Sequence, residues 1–195
     1  MVDKNKNLFL ILSFLMALIV ILSNYLVQFP VKAYNLEELL TYGAFTYPVT
    51  FLITDLTNRA YGKIIARKIV NFGFVIGILL TFLVTNFSDL ISIRIACGSA
   101  IAFIIAQNID LQIFDKLRKN RFWFIPPFVS SLFGSLIDTI LFFSISFYAT
   151  GIPWVTLALG DFLVKFLVAL VLLIPFRLTK NVIKDLYNKT PQKSV

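Results

Sequence analysis

The sequence predicts an all-α polytopic membrane protein, a single domain over 1–195 with six transmembrane helices and both termini in the cytoplasm. Three observations carry that prediction. Of the 195 residues, 58% are hydrophobic and only 14% charged, and the mean hydropathy of +0.86 lies far above that of soluble domains. The apolar residues gather into uncharged runs close to the roughly 20 residues that cross a hydrocarbon core. Lys and Arg cluster between alternate runs.

The first span is expected near 8–28, inside the uncharged stretch Asn7–Val31. Lys4 and Lys6 precede it as they would a signal peptide, but its apolar core is longer than a typical h-region and no small-x-small cleavage site follows, so it reads as a retained helix. The second span lies near 43–60, with Pro48 as its expected kink. Ile69–Ser88 supplies most of the third, 68–88, and Ile95–Ile109 most of the fourth, 92–113. Phe122–Gly160 is broken only by Asp138 and is too long for one crossing. "TGIP", Thr150–Pro153, therefore reads as the turn between a fifth span, 123–149, and a sixth, 154–176.

Fifteen of the eighteen Lys and Arg residues then fall on one side: Lys4 and Lys6, the group Arg59–Lys68, the group Lys116–Arg121, and Arg177 onward. Lys32 and Arg94 fall on the other, and Lys165 lies inside the sixth span. The excess marks the cytoplasmic side. Trp123 and Trp154 sit at opposite ends of the last two spans, where interfacial aromatics belong. The net charge of +8 is spread over four short segments, a topology and anionic-lipid signal that argues for the bilayer and against nucleic acid as a partner.

One Cys and no His exclude a disulfide framework, a His-built metal site and His-dependent acid–base catalysis. Cys97, in the apolar run "RIACGSAIAF", reads as a small buried residue. Ala96, Gly98, Ala100, Ala102 and Ala106 form overlapping small-x-x-x-small pairs that favour close packing of the fourth helix. Nothing in the sequence implies a metal or a bound cofactor.

Function is concentrated in polar residues set inside the spans, because a charge at the bilayer centre costs about 2.5–3.5 kcal/mol and is kept only where it faces the bundle interior. In the second span Thr46, Thr50, Thr54 and Asn58 recur every four residues, with Asp55 one step around. Gln107 and Asp110 share a face of the fourth, and Ser131, Ser135 and Asp138 share one of the fifth. Asp161 and Lys165, four apart with the acid first, suit an ion pair on the sixth. Hydroxyl stripes also serve helix packing alone, and the Asp161–Lys165 pair also suits a purely structural role. Asp138 is harder to explain that way, since it lies about 22 Å along its helix from Trp123 at 1.5 Å per residue. Polar faces on four of six helices suggest an internal cavity, and transport is its natural use.

Four segments, "GAFTYPVTFLITDLTNRAYGKIIAR", "AQNIDLQIFDKLR", "SSLFGSLIDTILFF" and "GDFLVKFLVAL", resemble in order and spacing the bacterial queuosine-precursor transporters, also described as vitamin-uptake-like integral membrane proteins. The resemblance covers about residues 40–178. It implies a multi-pass protein of the bacterial inner membrane that imports 7-cyano-7-deazaguanine and related 7-deazaguanines for synthesis of the modified tRNA base queuosine. Carried over by position, it implies substrate contacts at Thr54, Asp55, Gln107, Asp110, Asp138, Thr139, Asp161 and Lys165, beside which Ser135 completes the polar face of the fifth helix. Such a nucleobase-like partner presents adjacent N–H donors for a carboxylate, from Asp138 or Asp55, and a carbonyl for a donor from Gln107 or Lys165. Phe142, Phe143 and Phe162 lie near for stacking.

Without a phosphate-binding loop of the G-x-x-x-x-G-K type, the chain does not itself hydrolyse ATP. Proton coupling, facilitated diffusion and a separate energising module all remain open, as does a homodimer. A distant alternative is an intramembrane aspartyl protease: "LALGDF" approaches a Gly-x-Gly-Asp signature, but Ala158 replaces the first Gly, and Lys165 one turn away opposes the shared proton of an aspartyl dyad.

Overall fold

The computed structural model describes residues 3–33, 36–37, 40–84 and 90–188. Their elements are the helices α1 (Asp3–Leu26), α2 (Gly43–Thr46), α3 (Pro48–Tyr61), α4 (Lys63–Val84), α5 (Leu90–Leu117), α6 (Ile125–Phe147) and α7 (Trp154–Asn188). Four helical segments among the described residues are long and apolar enough to cross a membrane: Asn7–Leu26, Ile93–Leu117, Ile125–Phe147 and Trp154–Ile183. The outer end of the third expected span, 85–88, lies outside the described residues, as do Lys189 and Lys193.

The second expected span is two helices meeting at Tyr47. Pro48 has no N–H to continue the helical ladder, so α2 stops at Thr46 and α3 starts with Pro48 in its first turn. The interruption expected at Pro48 is thus present, and it turns the Tyr47 side chain into the bundle, where it is buried. Gly62 then joins α3 directly to α4; at φ +82° it occupies backbone space that favours glycine. The basic segment expected as a loop after Tyr61 is therefore the first turns of α4. The sixth expected span also runs on past Pro175 to Asn188. The turn expected at Thr150–Pro153 lies between α6 and α7, with positive φ at Ala149 and Gly151.

The 29–42 connection and the 148–153 turn mark one end of the bundle, here termed the upper end. Its loop is pinned where Val31 N–H donates to the Leu40 carbonyl and Tyr42 N–H to that of Phe29. Gly62 and the 118–124 connection mark the lower end. Arg94 closes the upper end of the α5–α6 pair by donating to the carbonyls of Ile145 and Tyr148. At the lower end Arg118 donates to the backbone and side-chain oxygens of Asn58, while Arg59 donates to the Arg118 carbonyl. Arg177 and Lys180 lie 5.0 and 5.4 Å over the Trp123 ring.

Small residues set the helix spacing. A β-carbon at Gly73 would stand 2.6 Å from the Ser13 carbonyl oxygen, and one at Gly77 2.9 Å from Val20 Cβ, so α1 and α4 meet across this pair. The spacing of "GFVIG", Gly73–Gly77, announces such a contact, although it carries no polar residue to mark it out. The small-residue stripe on α5 packs as expected, with Gly98 against Phe142 and Ser146 of α6. Cys97 corrects the expectation of a buried thiol: it is exposed on the other side of that helix. Leu159, Leu163, Val171 and Leu178 of α7 are exposed, whereas Asp161, Lys165, Ala169 and Phe176 face the interior. An apolar exterior around polar positions inside the bundle is the pattern of a multi-pass membrane protein.

Candidate functional site

The polar residues of α3, α5, α6 and α7 divide into three groups along the bundle. The upper group is built around Lys165. Its ammonium donates to Asp138 Oδ2 at 2.9 Å, to Asp161 Oδ2 at 2.6 Å and to Thr139 Oγ1 at 3.2 Å. Thr139 donates to Asp161 Oδ2 at 2.8 Å, and the Tyr47 hydroxyl donates to Asp138 Oδ1 at 2.8 Å. Lys165 Nζ also lies 4.9 Å from the Tyr47 ring centroid. Asp138, Asp161 and Lys165 are 2, 5 and 3% exposed, so this ion cluster is internal. Each charge needs its partners there, because desolvation makes an unpaired buried charge expensive.

A small cleft borders this group. Asp138, Asp161, Lys165 and Tyr47 line one wall; Ser23, Asn24, Ser99 and Phe142 contribute to the rest. Ser99 donates to Asn24 Oδ1 at 2.6 Å, and the hydroxyls of Ser23 and Thr46 are 2.9 Å apart. Asp138 has both oxygens engaged within the cluster, and Lys165 has three acceptors for its three protons. Asp161 makes both of its contacts through Oδ2; its Oδ1 has no partner among the described residues. A substrate carbonyl, expected to pair with Lys165, could therefore do so only by breaking an existing bond, and Asp161 is the carboxylate better disposed toward a new donor.

Tyr47, Ser23, Asn24 and Ser99 join the cleft without having been expected there. Their signal is present in the residues: Ser23 and Asn24 interrupt the apolar α1 in "VILSNYL", and Tyr47 immediately precedes the helix-breaking Pro48. Being neutral, they stand out less than the stripes that contain acids.

The middle group is formed by the Thr stripe and Gln107. Thr54 Oγ1 lies 2.6 Å from Gln107 Oε1, Gln107 Nε2 donates to Thr50 Oγ1 at 3.0 Å, and Asn58 donates to the Leu111 carbonyl at 3.2 Å. Thr50, Thr54, Asn58 and Gln107 are fully buried between α3 and α5. They form a strut that ties the two helices, and neither Thr54 nor Gln107 lines the cleft.

The lower group holds the other two acids. Ser130 donates to Asp55 Oδ1 at 3.0 Å and Ser131 to Asp55 Oδ2 at 3.1 Å. Asp110 is fully buried beside them, and neither of its oxygens has a hydrogen-bond partner among the described residues. Asp55 and Ser135 line a second, small pocket between α3, α6 and α7. Thus, of the residues expected to share one site, Asp138, Thr139, Asp161 and Lys165 come together, Asp55, Asp110 and Ser135 come together elsewhere, and Thr54 and Gln107 stand between them. The Gly-Asp motif of the protease alternative carries Asp161, which shares the Lys165 ammonium with Asp138, a cation where an aspartyl dyad would share a proton.

A model of the family described as "Putative vitamin uptake transporter" matches residues 41–179. A protein named queuosine precursor transporter from Escherichia coli K12 is 33% identical over 183 residues, covering 84% of this chain and 82% of its own length. One named probable queuosine precursor transporter from Haemophilus influenzae is 32% identical over 204 residues, covering 89% of this chain and 86% of its own. A third, with the same name, from Bacillus subtilis is 29% identical over 155 residues, 67% of each. No solved structure matches significantly.

Proposed function

The chain belongs to this vitamin uptake transporter family, and from that premise we propose that it imports queuosine precursors, 7-cyano-7-deazaguanine or related 7-deazaguanines, across the bacterial inner membrane. The carrying observation is the buried Asp138–Lys165–Asp161 cluster on the wall of a cleft. Interior ion clusters bordering cavities are how membrane carriers hold polar cargo away from lipid. The names of the two relatives at 32–33% identity over most of their length support the cargo class.

In this reading the donor edge of the deazaguanine, N1–H and the 2-amino group, meets Asp161, with Thr139 and Lys165 fixing the carboxylate from behind. Ser99 and Asn24 face the opposite edge, and Phe142 offers a ring for stacking. The α2–α3 pair acts as one crossing: its 43–61 stretch rises about 28 Å at 1.5 Å per residue, close to the roughly 30 Å of the core. Together with α1, α4, α5, α6 and α7 it makes six crossings in one domain, and the Lys and Arg distribution puts the lower end and both termini in the cytoplasm. Alternating access then opens the cleft to either side by movement about the Tyr47–Pro48 and Gly62 joints.

Uptake of labelled 7-cyano-7-deazaguanine by the purified chain in proteoliposomes is the test. The wild type accumulates it and Asp161→Asn loses about a hundredfold in uptake efficiency, as expected when a charged hydrogen bond worth about 1.5–3 kcal/mol is removed. Full uptake by Asp161→Asn would overturn the assigned contact. No binding by the wild type would overturn the cargo.

A further inference from the structure

The upper cluster accounts for two of the four buried membrane acids. Asp55 and Asp110 are equally enclosed, 2 and 0% exposed, and both pack against neighbouring turns of α6, Asp55 on Ser130 and Ser131 and Asp110 beside Gly134. Among the described residues no Lys or Arg pairs with either. Arg118 of α5 is engaged with Asn58 and Asp115, and Lys165 of α7 with Asp138 and Asp161. Toward Asp55, α6 presents neutral Ser130 and Ser131, and α7 presents Ala169, Leu172, Leu173 and Phe176. Two negative charges in such a place call for a counter-charge that the chain does not supply.

A second observation points to where that charge sits. The Ser135 hydroxyl belongs to a residue 2% exposed, has no hydrogen-bond partner among the described residues, and lines the same cavity as Asp55 and Ser131. Gly134 lets Asp110 approach from behind: a β-carbon there would stand 3.3 Å from Asp110 Cβ. Asp55, Ser131 and Ser135 line one small space and Asp110 packs against the same turns of α6 behind it, an all-oxygen donor set of the kind that hard cations select.

We propose that Asp55 and Asp110, with Ser130, Ser131 and Ser135, bind a single monovalent cation, a proton or Na+, at a site separate from the substrate cleft. This rests on the transport reading only for its purpose, which is to drive uptake. Asp55 and Tyr47 lie on one helical stretch about 12 Å apart at 1.5 Å per residue. Filling the lower site removes the repulsion between α3 and α5 and draws α3 onto α6, and that movement reaches the Tyr47–Asp138 contact in the cleft. Such coupling is reciprocal, so cargo in the cleft tightens the hold on the cation.

The test uses the full chain in lipid nanodiscs, without cargo. Bound radiolabelled Na+ is measured at equilibrium, and protons taken up are measured by potentiometric titration, for wild type and Asp110→Asn. One Na+ per chain in the wild type and none in Asp110→Asn supports the site as a sodium site; one more proton held at neutral pH by the wild type than by Asp110→Asn, with no Na+ bound by either, supports it as a proton site. Identical Na+ occupancy and identical titration in the two proteins overturns it. Should Asp110→Asn fail to fold, Ser135→Ala is the second variant: a cation affinity lowered by about tenfold supports the site and an unchanged affinity overturns it. In proteoliposomes, the ratio of cargo uptake with and without an imposed cation gradient falls to unity in Asp110→Asn. A chain that binds the cation but takes up no deazaguanine refutes the cargo and leaves the site standing, whereas gradient-driven uptake that survives in Asp110→Asn refutes the site and leaves the cargo standing.

Discussion

The upper and lower acid pairs of this bundle occupy comparable depths of burial and solve the same electrostatic problem differently. Asp138 and Asp161 share Lys165, and Tyr47 and Thr139 complete their hydrogen bonds. Asp55 receives two serine hydroxyls, and Asp110 receives no hydrogen bond among the described residues. The first pair is ion-paired within the fold; no cation of the described residues reaches the second. Neutral hydroxyl donors stabilise a buried carboxylate far less than a paired cation does, so the contrast separates a pair compensated within the fold from one that the proposed cation would complete.

The strongest way to break the comparison is Lys165→Ala. It leaves two buried carboxylates facing each other and is expected to destabilise the protein by about 3–5 kcal/mol, read as a large drop in melting temperature in detergent and loss of uptake. A small effect would mean that the upper acids do not depend on Lys165. Next, Tyr47→Phe removes the donor to Asp138 Oδ1 and is expected to cost about 1.5–3 kcal/mol by the same measurement, while Asp138 retains Lys165. Asp110→Asn should act with the opposite sign. Where the lower site holds no cation it removes an uncompensated charge and raises stability by about 1 kcal/mol or more, a gain that shrinks once the cation saturates the wild type. Loss of stability under the first condition would make the two pairs alike. Smallest of all, Thr54→Val cuts one bond of the strut between the groups, for about 0.6 kcal/mol, the average for an interhelical hydrogen bond in a membrane.

Much of this arrangement is legible in the residues, and the rest is lost for a specific reason. Asp161 and Lys165 are four apart on one helix, so their ion pair follows from helical geometry alone. The Lys165–Asp138 bond joins residues 27 apart on different helices, and the serine bonds to Asp55 span 75 and 76 positions; no local pattern announces them. Thr46, Thr50, Thr54 and Asn58 do share a face, as their spacing requires, but the burial of Thr50, Thr54 and Asn58 is against α5 and not along the cleft. Spacing identifies a face and leaves its neighbour unnamed.

Residue chemistry alone dictates that the chain is helical and apolar outside, where it must be interrupted at Pro48 and Thr150–Pro153, and which residues are too polar to face lipid. These follow from backbone geometry and from the cost of dehydrating charge, both of which act locally. The division of four acids into a compensated pair and an uncompensated one arises only when the helices assemble. The rotation of each helix is fixed by contacts such as Gly73 and Gly77 on α1 and Gly98 on α6, a collective packing problem in which every helix constrains the next.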